Sequence, residues 1–145
     1  MENRMKTTIE LNGVKISISA TFLGFFNWDA DERVFDKHPK FRVTVVSNGM
    51  KQTFTYYGSI MDYRNNVQEL DEQGLRNALE CRLMDASSFD NARNFEDFCA
   101  ELGYERIEEY KKANKAWNGC AQAHAACQRM WGSYYELYNK LTEDE

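Results

Sequence analysis

The stretch TIELNGVKISISATF, residues 8–22, decides the N-terminal fold, because two alternating segments flank one turn dipeptide. Asn12-Gly13 favours the positive φ angles of a tight hairpin turn. After the turn, apolar side chains alternate with Lys, Ser and Thr, which is the pattern of a strand with one buried and one solvated face. The apolar positions are Val14, Ile16, Ile18, Ala20 and Phe22. The sequence therefore predicts an antiparallel hairpin.

A second hairpin is predicted around Asn48-Gly49, because residues 41–46 and 53–57 alternate in the same way. Two hairpins make a small four-stranded antiparallel sheet. Residues 24–40 lie between them and show no sustained periodicity, so they are predicted to form a long loop.

Helical periodicity begins at residue 70, where the spacing of apolar residues changes from two to about three and a half. Asp71 is the expected N-cap of a first helix, and Asn94 that of a short second helix ending at Gly103. A third helix is expected from near Glu105 almost to the C-terminus. The predicted fold class is α+β in a single domain, 1–145, with a β-hairpin part (1–60) and a part (61–145) of three helices, the last one long.

The length of the third helix poses a packing problem. About 35 helical residues would extend about 50 Å, which is wider than a domain of this size. Either the helix breaks near Asn118-Gly119 or Gly132-Ser133, or its far end packs on another chain. Aromatic residues are enriched at interfaces, and the candidate residues for self-association, as in a homodimer, are Trp131, Tyr134 and Tyr138.

The composition excludes several classes of protein. With 43% apolar and 14% aromatic residues in 145, the chain is not disordered. A net charge of −5 argues against direct binding of a nucleic-acid backbone, and no run of about 18 apolar residues suggests a membrane span. The start MENRMKTTIEL contains no apolar signal segment, so we expect a cytoplasmic protein with four free thiols.

Catalytic and metal chemistry find little support in the motifs. Cys120, His124 and Cys127 share one helix face and would suit zinc, but they also continue an apolar stripe. Core packing is the favoured interpretation, with a metal or redox role as alternatives. Glycine-rich phosphate loops and the hydrolase serine motif are absent from the sequence. We therefore expect no enzyme, no catalytic residues, no metal and no cofactor; a weaker alternative is an enzyme that uses Cys99 or His124.

Charge is unevenly distributed along the chain. Residues 1–60 carry eight basic and six acidic side chains, whereas residues 61–145 carry ten and seventeen. Within 85–109, eight carboxylates accompany only two arginines. One interpretation is solubility and favourable placement in first helical turns. The other is an acidic patch that binds a basic protein surface, with the candidate residues Asp97, Glu101, Glu105, Glu108 and Glu109.

A motif in the helical part resembles a set of small phage and prophage proteins. It comprises Leu83-Met84-Asp85-Ala86-Ser87-Ser88, then residues 94–104 reading NFEDFCAELGY, and Ala116-Trp117-Asn118-Gly119-Cys120. The aromatic strand end followed by Gly58-Ser59 is similar to theirs too. This resemblance implies a mobile-element accessory protein, and such proteins include anti-CRISPR inhibitors of host defence. It implies as partner a host defence complex, such as a CRISPR effector; the competing hypothesis is a self-associating assembly module with no host target.

Overall fold

Four strands form one antiparallel sheet in the computed structural model, which describes residues 4–27, 37–102 and 110–143. The strands are β1 (Arg4–Leu11), β2 (Val14–Phe26), β3 (His38–Ser47) and β4 (Met50–Tyr57), and they pair in the order β1-β2-β3-β4. The predicted four-stranded sheet of two hairpins is confirmed. Most of the expected loop 24–40 lies outside the described residues, and its two ends belong to strands.

Both tight turns have the geometry that their dipeptides predict. Asn12 and Gly13 have φ angles of 53° and 80°, and Asn48 and Gly49 have 53° and 74°. Positive φ at both central residues matches the right-handed twist of the flanking strands. The turns therefore fix the register of both hairpins, with Leu11 opposite Val14 and Ser47 opposite Met50.

The register gives the sheet two different faces. On the inner face, Ile18 lies opposite Val45 and Val43 lies opposite Phe54. The central residues of this face are buried: Ile16, Ile18, Ala20, Phe41, Val43 and Val45. Lys, Arg, Thr and Ser dominate the outer face, as the alternation predicts.

Five helices follow the sheet in the described part of the chain. They are α1 (Ile60–Arg64), α2 (Glu72–Asn91), α3 (Phe95–Leu102), α4 (Tyr110–Trp131) and α5 (Tyr135–Glu143). An α+β fold is thus confirmed, with more helices than the three predicted. The extra turn, α1, begins with a capping box in which Ser59 Oγ accepts from the Asp62 N–H and Asp62 Oδ2 accepts from the Ser59 N–H.

Both predicted helix N-caps are confirmed. Asp71 Oδ1 accepts a hydrogen bond from the Gly74 N–H at 2.7 Å, and Asn94 Oδ1 accepts one from the Asp97 N–H at 2.8 Å. Each bond satisfies one of the free amides in a first helical turn. The expected stop at Gly103 and the expected start near Glu105 lie outside the described residues.

The long C-terminal helix breaks at the second of the two predicted sites. Gly132 has a φ of +72° and donates its N–H to the Gln128 carbonyl at 2.7 Å, which ends α4. Gly119 lies inside α4. Two helices therefore replace the single long one, and α5 begins three residues after the break.

The chain divides into two compact units, Met1–Leu79 and Glu80–Glu145, and α2 runs across the boundary. Unit 1 contains the sheet, α1 and the first part of α2. Its buried residues in α2 are Leu75, Ala78 and Leu79, and Leu70 is buried just before that helix. Unit 2 contains the helices from Glu80 onward. Its largest fully buried side chains are Tyr134, Phe98, Leu83 and Leu141.

Candidate functional site

Helix α3 separates an apolar side from an acidic side. Phe98 and Cys99 are buried, whereas Glu96 and Glu101 are exposed and Asp97 is half-buried. At about 100° per residue, the three carboxylates share the arc opposite the buried residues. We call Glu96, Asp97 and Glu101 the acidic face of α3.

An aromatic cluster fixes which side of α3 faces solvent. Trp117 of α4 lies at ring-centroid distances of 5.0 Å from Phe98, 6.0 Å from Phe95 and 4.7 Å from Phe89 of α2. Edge and tilted contacts of this kind stabilise aromatic pairs beyond the burial of their area. Because the apolar side of α3 is held against Trp117, the acidic face is directed outward.

The carboxylates of the acidic face differ in how freely they can bind a partner. Asp97 Oδ2 accepts a hydrogen bond from the Arg93 N–H at 3.0 Å, so part of its bonding capacity is used at the helix start. Glu96 and Glu101 are exposed in the first and last turns of α3. Of the predicted partner-binding residues, Asp97 and Glu101 share this face, and Glu105, Glu108 and Glu109 lie outside the described residues.

A second polar cluster in unit 2 surrounds His124. The histidine Nδ1 lies 2.7 Å from the Tyr134 hydroxyl, and its Nε2 lies 3.8 Å from Asp90 Oδ1. Tyr135 donates its hydroxyl to Asp90 Oδ2 at 2.5 Å, and its ring stacks on that of Tyr134 at 5.0 Å. These residues line an open cleft of about 200 Å³, the histidine cleft, together with Gln128, Gly132 and Ser133.

The phenols of the histidine cleft are held in their neutral form. Burial raises the pKa of Tyr134 well above its usual value of 10.0, and the nearby Tyr135 and Asp90 add to the rise. Burial and the hydrogen bond to Asp90 raise the pKa of Tyr135 as well. A neutral phenol donates a hydrogen bond but is a poor general base. These two phenols therefore suit hydrogen bonds that join α2, α4 and α5 better than proton abstraction.

The cysteines of α4 lie in a core environment. Cys120 and Cys127 are buried, and the histidine between them in sequence is bonded to Tyr134. Burial, with the charge of Asp85 adding to it, raises the pKa of Cys120 to about 11. Among the described residues, no three His, Cys, Asp or Glu side chains lie close enough together to hold a metal ion. Cys99 is also buried, and Cys81 is exposed.

The predicted self-association residues lie in different surroundings. Tyr134 is only 2% exposed and fills the core of unit 2, so its ring is used within its own chain. Trp131 and Tyr138 are half-buried. Self-association through this segment stays a prediction that depends on Trp131 and Tyr138.

Sequence reasoning missed the link between Asp90 and Tyr135, which are 45 positions apart. No local spacing connects them, since Asp90 is near the end of α2 and Tyr135 begins α5. Only Tyr135 lies near the break at Gly132, so the sequence carries no signal that connects it with Asp90. The pairing depends on how the helices of unit 2 pack.

Comparisons of the chain with family models, curated proteins and solved structures found no match. No helix in the described part of the chain is both long and apolar enough to cross a membrane.

Proposed function

We propose that the protein is a non-catalytic, phage-derived inhibitor of a host defence complex in the bacterial cytoplasm. Its acidic face of α3 would bind a basic surface with which that complex, such as a CRISPR effector, holds nucleic acid. The observation that carries the proposal is the outward direction of Glu96, Asp97 and Glu101, which follows from the packing of Phe98 on Trp117. Glu105, Glu108 and Glu109 belong to the proposal on the sequence alone.

The electrostatics of the acidic face favour binding to a cationic surface. Glu96 and Glu101 are exposed, and α3 itself contains no Lys or Arg. Like charges on one helix repel each other at a small cost in stability. A basic partner removes that repulsion and is steered toward the face at a rate that decreases with salt.

The test is a charge reversal in an interference assay. Bacteria that carry a CRISPR effector and lose a targeted plasmid would express the wild type, Glu96→Lys/Glu101→Lys, or the control Glu69→Lys/Glu143→Lys. The control makes the same change in net charge at exposed carboxylates that do not belong to α3. We expect the wild type and the control to protect the plasmid and the α3 variant to lose protection.

A pull-down with the tagged protein from nuclease-treated lysate supplies the binding readout. Capture of the effector at low salt should be lost at about 0.5 M salt, where the screening length is only about 4 Å. If the α3 variant protects as well as the wild type while circular dichroism shows an intact fold, the acidic face is not the inhibitory surface. If the wild type protects against no defence system and is a dimer in solution, the result favours the alternative hypothesis of a self-associating assembly module.

A further inference from the structure

The outer face of the sheet carries a charge opposite to that of the whole chain. Its exposed cations lie on all four strands: Lys6, Lys15, Arg42 and Lys51. Lys40 is half-buried on the same face, and Glu10 is the only carboxylate at the described positions of this face. The net charge of −5 is a sum over two units, and it conceals this basic surface.

Hydroxyl groups fill the space between these cations. Thr44 and Thr53 lie opposite each other with their Oγ1 atoms 3.4 Å apart, and Thr8 Oγ1 lies 3.3 Å from Ser17 Oγ. Side chains of this kind contact phosphate and sugar oxygens in nucleic-acid complexes. The outer face therefore combines positive charge with neutral hydrogen-bonding groups over its whole width.

One end of the outer face holds two aromatic rings on either side of a cation. Lys40 Nζ lies 5.1 Å from the ring centroid of Phe26 and 5.8 Å from that of Tyr57. Phe26 is 44% exposed although it is a large apolar side chain. Arg42 follows Lys40 by two positions on β3, so its guanidinium side chain projects from the same face about 7 Å along the strand.

The position of Phe26 is built into the backbone. A β-bulge shifts the register between Phe22 and Gly24, after which Gly24 lies opposite Lys40. Gly24 has a φ of +127°, and a Cβ atom there would lie 3.1 Å from the Phe26 ring. Glycine thus allows the ring to lie over the strand and be presented on the outer face beside Lys40.

We infer that the outer face of the sheet binds single-stranded nucleic acid. Lys40 and Arg42 hold phosphates, and Phe26 and Tyr57 stack on bases. Cations along a surface and exposed rings on which bases stack are the two features that such binding uses. An acidic protein or a polyanion without bases would be attracted by the charge but would have no use for the rings. The inference is independent of the acidic face of α3, and it departs from the expectation drawn from net charge.

The experiment is a fluorescence-anisotropy titration of the full chain with labelled single strands. The probes are oligothymidylate and oligouridylate of roughly 20 nucleotides, which distinguish DNA from RNA, with duplex DNA of the same length and heparin as competitors. Titrations at about 50 and about 200 mM NaCl give the salt dependence. The variants are Phe26→Ala and Lys40→Gln/Arg42→Gln.

Matched controls come from unit 2. Met84→Ala truncates an apolar side chain that is 46% exposed, and Arg129→Gln/Lys140→Gln removes two exposed cations. We expect the controls to bind as the wild type does and Phe26→Ala to bind about tenfold more weakly. Lys40→Gln/Arg42→Gln should weaken binding at least as much and reduce the slope of log Kd against log salt by about 1.4, or about 0.7 per phosphate.

Three results would overturn the inference. The first is no binding of either single strand at about 50 mM NaCl. The second is equal competition by heparin or duplex with no effect of Phe26→Ala, which would assign the face to polyanions or acidic proteins in general. The third is an equal loss in the unit 2 controls. None of these results depends on a host complex, so failure here is separate from failure of the inhibitor proposal.

Discussion

Two glycine-to-alanine substitutions in the C-terminal region should change stability in opposite directions. Gly119 lies within α4 and Gly132 ends it, and both are exposed with no atom within 4 Å of an added Cβ. Steric contact is therefore the same at the two sites. Only the backbone conformation differs, because Gly132 has a φ of +72°.

The expected magnitudes follow from that difference. Alanine is better than glycine inside a helix by about 0.8–1.0 kcal/mol, so Gly119→Ala should increase the free energy of unfolding by nearly that amount. At Gly132 the left-handed conformation costs an alanine about 1–2 kcal/mol. The lower entropy of the unfolded chain offsets about 0.4–1 kcal/mol of this cost, which leaves a net loss of about 1 kcal/mol.

Urea denaturation followed by far-UV circular dichroism measures both changes. With a slope of about 2 kcal/mol per molar, the two midpoints should move about 0.5 M in opposite directions. Gly132→Asn should be milder than Gly132→Ala, because asparagine tolerates positive φ. If Gly132→Ala stabilises the protein as Gly119→Ala does, α4 continues through residue 132 and the break described above is wrong.

Three further predictions concern tyrosines and cysteines of unit 2. Tyr134→Phe should lower the free energy of unfolding by about 1–3 kcal/mol, whereas Tyr135→Phe should cost about 1 kcal/mol or less because water can replace its exposed bond. Burial raises the pKa of Tyr134 above its ordinary value of 10.0. The stabilisation from the neutral phenol is therefore present below pH 10.0 and is lost as the pH rises above it. Tyr134→Phe should accordingly lose less stability in alkali than the wild type. An equal loss of unfolding free energy in the two variants near neutral pH would contradict the difference in burial between the Tyr134 and Tyr135 hydrogen bonds. Iodoacetamide at about pH 8, read by peptide mass spectrometry, should alkylate Cys81 before Cys120, because Cys81 is exposed and Cys120 is buried. Partial burial raises the pKa of Cys81 too, and burial raises that of Cys120 to about 11, so the difference in rate depends chiefly on access of the reagent. Equal rates would show that the α4 core opens readily.

The turns and caps were predictable because their causes are local. Asn12-Gly13 and Asn48-Gly49 specify positive φ from two residues alone, and Asp71 and Asn94 cap amides three positions away. The short helix α1 was not predicted, since five residues give too little periodicity to detect. Its capping box, Ser59 with Asp62, is a weak pattern in isolation.

The candidate sites were predictable only in part. The sequence indicates that α3 is rich in carboxylates, but the packing of Phe98 on Trp117 decides which side they face. The net charge of the chain did not reveal the basic outer face, because a sum of charges does not say where each charged side chain lies. The cluster of Lys40, Phe26 and Tyr57 requires the strand register and the bulge before Gly24.

The sequence by itself determined the strands, the two turns, the principal helix caps and the possible break points of the last helix. Each depends on interactions over a few residues, where alternation, dipeptide geometry and capping act. Tertiary structure decided that the helix ends at Gly132 and not at Gly119, and that Tyr134 bonds His124 inside the core. Those outcomes depend on burial and on partners far apart in the chain. A buried hydroxyl is stable only where the packing supplies a hydrogen-bond partner, and the choice between two permissive glycines depends on where α5 can bury Leu137 and Leu141.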